Sequence, residues 1–217
     1  MNRCERLVGK LKKQGFDAAL IHKSENMRYL TGYTGEGCVF VCEAETVIVT
    51  DFRYVEQASR QAPGIRVLAT NAQHSENACA LELTDAHAVK TLAVETDFLS
   101  HDSYEALDKH LPFVQLGSLK GIPEELRLIK DAGEIESICK SAAIACKAFD
   151  NILGRIHPGM TEKQVQIMLD YEMLSLGSEG NAFDTIAAAG VNGSLPHAIP
   201  SDYIIQKGDL LTLDFGA

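Results

Sequence analysis

Hydrophobic and polar positions follow two alternating periods over the first half of the chain. Short apolar runs typical of strands are separated by stretches whose apolar residues recur three or four positions apart, the spacing of an amphipathic helix. This order predicts an α/β sandwich, in which helices cover the faces of a sheet. The predicted strands are 17–21, 38–41, 46–50, 65–69, 91–94 and 113–116, and helices are predicted up to residue 14 and at 53–61, 75–83 and 102–111.

A break in both periods divides the chain. Residues 117–123 contain two glycines and a proline, which interrupt helix and strand patterns alike. We therefore predict two domains, 1–120 and 121–217.

Two amphipathic helices are predicted to begin the second domain. Asp131 with Glu134, and Thr161 with Gln164, have the spacing of capping boxes at helix starts. The first helix carries apolar residues three and four positions apart as far as Ile156, and it is expected to bury one whole face. The second follows a His-Pro-Gly break and is expected to end near Gly177.

The end of the chain carries the first candidate for chemistry. Residues 209–217 alternate as a strand does, which puts Leu211, Leu213 and Phe215 on one face and Asp214 on the other with Leu210 and Thr212. A carboxylate on an apolar strand is costly to leave unpaired, so a cation, an arginine or a set of donors should meet Asp214. The ordinary alternative is a strand-end residue that caps a turn.

His197 is the second candidate. It lies in a loop that contains two glycines and two prolines, and rigid loops of this kind often position functional side chains. The ordinary alternative is a solvated loop histidine.

Composition excludes several classes of partner. The net charge is −10, which argues against nucleic acid and anionic membranes, and no apolar run is long enough to cross a bilayer. The six cysteines lack C-x-x-C spacing, which predicts reduced, buried thiols in the cytoplasm rather than disulfides or a zinc site. The remaining histidines share no spacing with carboxylates or cysteines, and we interpret them as surface or packed side chains.

A series of linked motifs resembles one enzyme family. The segment F-D-T-I-x-A-x-G begins at Phe183 and is followed by L-P-H at 195–197, K-G-D at 207–209 and L-x-x-D-x-G-A at 211–217. Earlier motifs that fit the same family are S-E-N-M-R-Y-L-T-G-Y-T-G at 24–35, T-D-F-R-Y-V-E-Q-A at 50–58, L-R-x-I-K-D-x-x-E-I at 126–135 and I-x-P-G-M-T-E at 156–162. In this order they resemble the Xaa-Pro peptidases, the proline-specific aminopeptidases and prolidases with a pita-bread fold.

The resemblance implies a fold and a function. The expected fold is a creatinase/prolidase-like α/β sandwich followed by an incomplete pita-bread α+β domain. The implied activity is metal-dependent hydrolysis of peptides with proline at the second position, with two divalent ions (Mn, Co or Zn) and a homodimer. By matching motif positions, Asp214 is a metal ligand, His197 contacts the substrate and stabilises the tetrahedral intermediate, and Phe183 lines the substrate site.

The chain departs from the family in its ligand set. A second aspartate, a histidine and two glutamates should follow Asp214, but only three residues do. One carboxylate cannot hold two metal ions, so the 217 residues are expected to bind no metal pair and to be inactive. The alternative is a non-catalytic short form or pseudoenzyme acting through dimerisation or partner binding of its N-terminal domain. A metal-free, creatinase-like hydrolase is a third reading, and Asp214 in its metal-site motif counts against it.

Overall fold

The computed structural model describes residues 2–217. The chain divides into two compact units, the first ending at Ile129 and the second beginning at Lys130. No helix in the described range is long and apolar enough to cross a membrane.

The first unit is built on a mixed sheet of six strands. In chain order these are β1 (Ala18–Ile21), β2 (Cys38–Cys42), β3 (Thr46–Asp51), β4 (Arg66–Thr70), β5 (Thr91–Val94) and β6 (Gln115–Ser118). Their order across the sheet is β4-β3-β2-β1-β5-β6. Strand β2 runs antiparallel to β1 and β3, whereas the pairs β3 with β4, β1 with β5, and β5 with β6 are parallel.

Six helices cover the two faces of this sheet. They are α1 (Arg3–Lys13), α2 (Ser24–Thr31), α3 (Val55–Gln61), α4 (Glu76–Ala86), α5 (His101–His110) and α6 (Ile122–Arg127), with a 3₁₀ turn at Phe52–Tyr54. Because side chains alternate along a strand, β1 sends Ala19 and Ile21 to a core shared with α1, α2, α3 and α6. It sends Ala18 and Leu20 to a second core shared with α4 and α5. The predicted α/β sandwich is confirmed.

Helix α6 belongs to the first unit. Its Ile122 and Leu126 are buried in the same core as α1 and α2, so this unit continues past residue 120, where we predicted the boundary. Gly121, with φ of +74°, precedes Ile122 at the N-cap position. Gly121 and Pro123 therefore start a helix, and Gly117 lies in β6, so residues 117–123 do not form a linker.

The second unit packs two helices against a short hairpin. Its elements are α7 (Ala132–Leu153), α8 (Glu162–Ser175), β7 (Ile186–Ala189) and β8 (Leu211–Asp214), with a 3₁₀ turn at Gly190–Ser194. Both predicted capping boxes are present, at the starts of α7 and α8. The hairpin is antiparallel, and Ile186 pairs with Asp214.

In the second unit, the buried face of the first helix and the last strand are both shorter than we predicted. Helix α7 buries Ala148 and Ile152, whereas Ile135 is 52% exposed, because α8 and the hairpin share a core with the second half of the helix. The strand predicted at 209–217 is limited to four residues, since β7 offers only four pairing partners.

Candidate active site

Asp214 lies on the exposed face of β8. Leu211 and Leu213 pack towards the core of the second unit, while Thr212 and Asp214 are exposed on the other side. The carboxylate accepts no hydrogen bond from any residue that the structure describes. Asp214 is therefore not met by an arginine or by hydrogen-bond donors of the described chain, because the strand alternation turns it to solvent. That a cation meets it stays a prediction. Its oxygens are accessible to a cation.

Phe183 is placed near the same end of the hairpin. It is 46% exposed and precedes β7, which begins at Ile186, so it is not a strand residue. A Cβ atom built on Gly216 would lie 3.4 Å from Cε1 of the Phe183 ring, and the amide of Ala182 donates to the carbonyl of Gly216 at 3.0 Å. Because Ile186 pairs with Asp214, Phe183 and Asp214 both lie at this end of the hairpin.

His197 is an exposed turn residue in the segment that joins β7 to β8. The segment begins with the 3₁₀ turn at Gly190–Ser194, which folds back over the hairpin. A Cβ on Gly193 would lie 3.3 Å from the carbonyl oxygen of Ala188 and 3.3 Å from Oγ1 of Thr212. The turn that leads to His197 therefore covers part of the strand face that carries Asp214. No hydrogen bond in the described chain joins His197 to Asp214.

Glu162, the first residue of α8, holds this segment in place. It is 1% exposed, and its Oε1 accepts hydrogen bonds from the amide of Ala189 at 2.7 Å and from Nδ2 of Asn192 at 3.1 Å. Its Oε2 accepts from the amide of Ser201 at 2.9 Å and from the Ser201 hydroxyl at 2.7 Å. One buried carboxylate thus fastens the chain on both sides of His197.

The hydrogen bonds also set the charge of Glu162. Burial by itself raises the pKa of a carboxyl group, but the amide of Ala189, the hydroxyl and amide of Ser201 and the Asn192 side chain together outweigh it. The pKa of Glu162 is consequently held below its ordinary value, and the side chain is a carboxylate at neutral pH. A buried charge with four donors is stable where an unpaired one would not be.

Residues near the end of the segment pack against its start. The Tyr203 hydroxyl donates to Oδ2 of Asp209 at 3.1 Å, and the amide of Gln206 donates to the same oxygen at 2.8 Å. Gly190 has φ of +54°, and a Cβ there would lie 2.6 Å from the Tyr203 hydroxyl. Only glycine fits at this point, where the chain leaves β7.

Sequence reasoning missed Glu162 as a site residue. It closes the motif P-G-M-T-E, which we interpreted only as a helix start. A glutamate in the first turn of a helix is common for electrostatic reasons, so the residue type gave no reason to look further. The motif itself could have indicated a role for Glu162. Thr161 and Gln164 form the capping box, so Glu162, the last residue of the motif, is not needed to cap the helix.

Asp214 is the one metal ligand that the family resemblance assigns within the second unit. Among residues 2–217, one group of at least three His, Cys, Asp or Glu side chains is arranged to hold an ion; it lies in the first unit and does not include Asp214. Asp214 by itself offers one exposed carboxylate. The residues present therefore do not form a dinuclear centre, which needs several protein ligands.

Comparisons with known proteins agree with the division of the chain into two units. The family model described as "Creatinase/Prolidase N-terminal domain" matches residues 3–129, and "Metallopeptidase family M24" matches residues 136–217. The chain is 30% identical over 218 residues to an Xaa-Pro dipeptidase of Pyrococcus horikoshii, covering 99% of this chain and 60% of the relative.

Solved structures show the same likeness. An Xaa-Pro dipeptidase from Bacillus anthracis superposes with a TM-score of 0.93 at 34% identity, over 99% of this chain and 60% of that one. An X-Pro aminopeptidase from Thermotoga maritima superposes with a TM-score of 0.89 at 30% identity, over 100% of this chain and 61% of that one. The chain thus spans about three fifths of these proteins.

The fold of the first unit, the order of the motifs and the two matched regions all lead to one assignment. The chain belongs to the family of proteins with a creatinase/prolidase N-terminal domain, joined here to a region of metallopeptidase family M24.

Proposed function

We propose that the complete gene product containing this chain hydrolyses peptides with proline at the second position in a metal-dependent reaction. The observation that carries the proposal is Asp214, an exposed carboxylate with no donor among the described residues, at the end of β8 in the region matched to metallopeptidase family M24. The names of the relatives, Xaa-Pro dipeptidase and X-Pro aminopeptidase, support the choice of substrate.

Each side chain has a distinct role in this proposal. Asp214 is one metal ligand, and divalent ions (Mn, Co or Zn), when bound, supply an activated water and polarise the scissile carbonyl. His197 donates a hydrogen bond to the oxygen on which negative charge develops. The exposed ring of Phe183 packs against the substrate beside Asp214.

Glu162 is a positioning residue in the same proposal. It contacts neither the substrate nor a metal ion, but it fixes Asn192 and Ser201 on either side of His197. A hydrogen-bond donor that is held in place before the substrate binds stabilises developing charge better than a mobile one. The buried carboxylate therefore contributes to catalysis through the placement of the loop.

The 217 residues by themselves are proposed to be inactive, because they offer only one of the ligands that two ions need. The homodimer remains a prediction from the family resemblance. The cytoplasmic location also remains a prediction, and it rests on the spacing of the cysteines in the sequence.

Substrate choice tests the proposed function. The complete gene product, supplied with Mn²⁺, should cleave Ala-Pro with a kcat/KM at least about tenfold higher than that for Ala-Ala, a difference of about 1.4 kcal/mol in transition-state binding. Both dipeptides carry the same N-terminal residue, so the comparison isolates the second position. Equal values for the two substrates would exclude a proline-specific site.

A further inference from the structure

Three potential metal ligands meet at one end of the sheet in the first unit. His22 follows β1 directly, and Cys38 is the first residue of β2. The antiparallel register pairs Ile21 with Val39, which brings His22 opposite Cys38. Glu76 is the first residue of α4, the helix that covers the sheet face on which Cys38 lies. The topology therefore brings together three side chains that are far apart in the sequence.

The distances between these groups suit one ion. One ligand atom from each residue lies within 4.8 Å of those from the other two, and Nε2 of His22 is 2.9 Å from Oε1 of Glu76. Ligands around a tetrahedral zinc ion are separated by about 3 to 4 Å, given bonds of about 2.0 to 2.3 Å. The bound of 4.8 Å on the separations here exceeds that range by about 1 Å.

The imidazole of His22 gives an independent indication. Its side chain is 12% exposed, and its Nδ1 is buried without a hydrogen-bond partner among residues 2–217. Buried polar atoms in folded proteins nearly always have partners, so an orphaned ring nitrogen indicates a missing neighbour. A ligating imidazole uses one nitrogen for the metal and the other for a hydrogen bond, so an ion bound at Nδ1, with Nε2 donating to Oε1 of Glu76, would give both ring nitrogens a partner.

We propose that His22, Cys38 and Glu76 form a zinc site in the N-terminal domain, distinct from the proposed catalytic metals. Thiolate, imidazole and carboxylate are all ligands of Zn²⁺, and three protein ligands leave a fourth position for water. The ion fastens α4 to the β1–β2 pair. This assignment replaces our interpretation of Cys38 as a plain buried thiol and of His22 as a surface or packed side chain, and it does not depend on the proposed peptidase activity.

Binding of an ion at this site requires the Cys38 thiol to lose its proton. Burial, followed by the charge of Glu76, raises the pKa of the Cys38 thiol well above its ordinary value. The thiol is therefore protonated in the metal-free chain, and the ion has to displace that proton. The stronger bond of a soft thiolate to zinc favours this exchange.

Cobalt substitution tests the site on the whole 217-residue chain. Co²⁺ bound by a thiolate absorbs through a sulfur-to-metal charge-transfer band, which a site of carboxylates and imidazoles cannot produce. We expect the band to saturate at about one equivalent of Co²⁺ and to disappear when Zn²⁺ is added. Absence of the band in the wild-type chain overturns the proposal.

Variants identify the ligands. Cys38→Ser should abolish the band, whereas Cys42→Ser, a change at a buried cysteine on the same face of β2, should retain it. Cys79, another buried cysteine in that cluster, is the other nearby thiol, so loss of the band in Cys79→Ser with retention in Cys38→Ser overturns the ligand assignment.

A third variant covers the case in which Cys38→Ser does not fold. Glu76 is 37% exposed in its side chain, so Glu76→Gln should fold, which circular dichroism verifies. We expect it to bind Co²⁺ at least about tenfold more weakly than the wild-type chain. Unchanged affinity in a folded Glu76→Gln variant removes Glu76 from the site and overturns the three-ligand assignment.

Discussion

Glu162→Ala is expected to lower the free energy of unfolding of the second unit by about 3 to 5 kcal/mol. The change removes an acceptor of four hydrogen bonds and leaves the amides of Ala189 and Ser201 without partners beside an empty volume. Denaturant unfolding, combined with hydrogen exchange at the amides of α8 and β7, measures the loss.

Glu136→Ala provides the matched control. Glu136 lies on the exposed surface of α7, where its carboxylate is 2.8 Å from Lys140 one turn further along the helix. Exposed pairs of this kind contribute about 0.5 kcal/mol or less. If the two variants lose similar amounts of stability, Glu162 does not hold the loop as the hydrogen bonds indicate.

The charge of Glu162 gives the stability of this unit a defined pH dependence. Because the folded-state pKa lies below the ordinary value of 4.5, the carboxylate contributes stability that is fully present above that value. The contribution is lost as the pH falls through the folded pKa. Glu162→Gln cannot ionise, so the difference in stability between wild type and this variant should shrink below about pH 4.5.

Asp214→Ala in the complete gene product is expected to lower kcat/KM for Ala-Pro by more than about a hundredfold. Removal of a metal ligand disables the ions that activate water, whereas the fold should be unaffected, because Asp214 is exposed and accepts no hydrogen bond within the described chain. Steady-state kinetics with Mn²⁺, together with circular dichroism, separates the two effects.

Asp202→Ala is the control for that variant. Asp202 is an exposed carboxylate in the segment that follows His197, and its nearest cation is Nζ of Lys163 at 3.6 Å. Loss of such a weak surface pair should change kcat/KM by less than about twofold. Wild-type activity in Asp214→Ala would remove this residue from the metal site.

The sequence predicted those helices and strands whose positions follow from residues close together in the chain. Strand β5 runs from Thr91 to Val94, as its short apolar run predicts, and α7 and α8 begin at the capping boxes read from Asp131 and Thr161. Helices α2 and α6 were missed. Helix α6 is only six residues long, too short for an amphipathic period to emerge, and its Ile122 and Leu126 are recognisable as core residues only once the sheet is in place.

The sequence predicted only those site residues that lie within recognisable motifs. The F-D-T-I segment and the L-x-x-D-x-G-A segment directed attention to Phe183 and Asp214, and the hairpin places both at one end. The exposure of Asp214 depends on which face of β8 packs against α7 and α8, which is a tertiary property. Glu162 and Ser201 are far apart in the sequence, so no spacing rule connects them.

The same limitation applies to the proposed zinc site. His22, Cys38 and Glu76 share no short spacing, and the register of β1 against β2 and the packing of α4 bring them together. Zinc motifs are recognised from ligands that are close in sequence, and this group has none.

The dependence of activity on the complete ligand set is measured by the hydrolysis of Ala-Pro. The 217-residue chain and the complete gene product are assayed side by side, with Mn²⁺, Co²⁺ or Zn²⁺ supplied. We expect release of alanine by the complete product only, because residues 2–217 offer Asp214 but not the other ligands of a dinuclear site. Metal-dependent turnover by the 217-residue chain would contradict the argument from the ligand set. Failure of both proteins to release alanine would contradict the proposed peptidase activity and favour a non-catalytic role for the N-terminal domain.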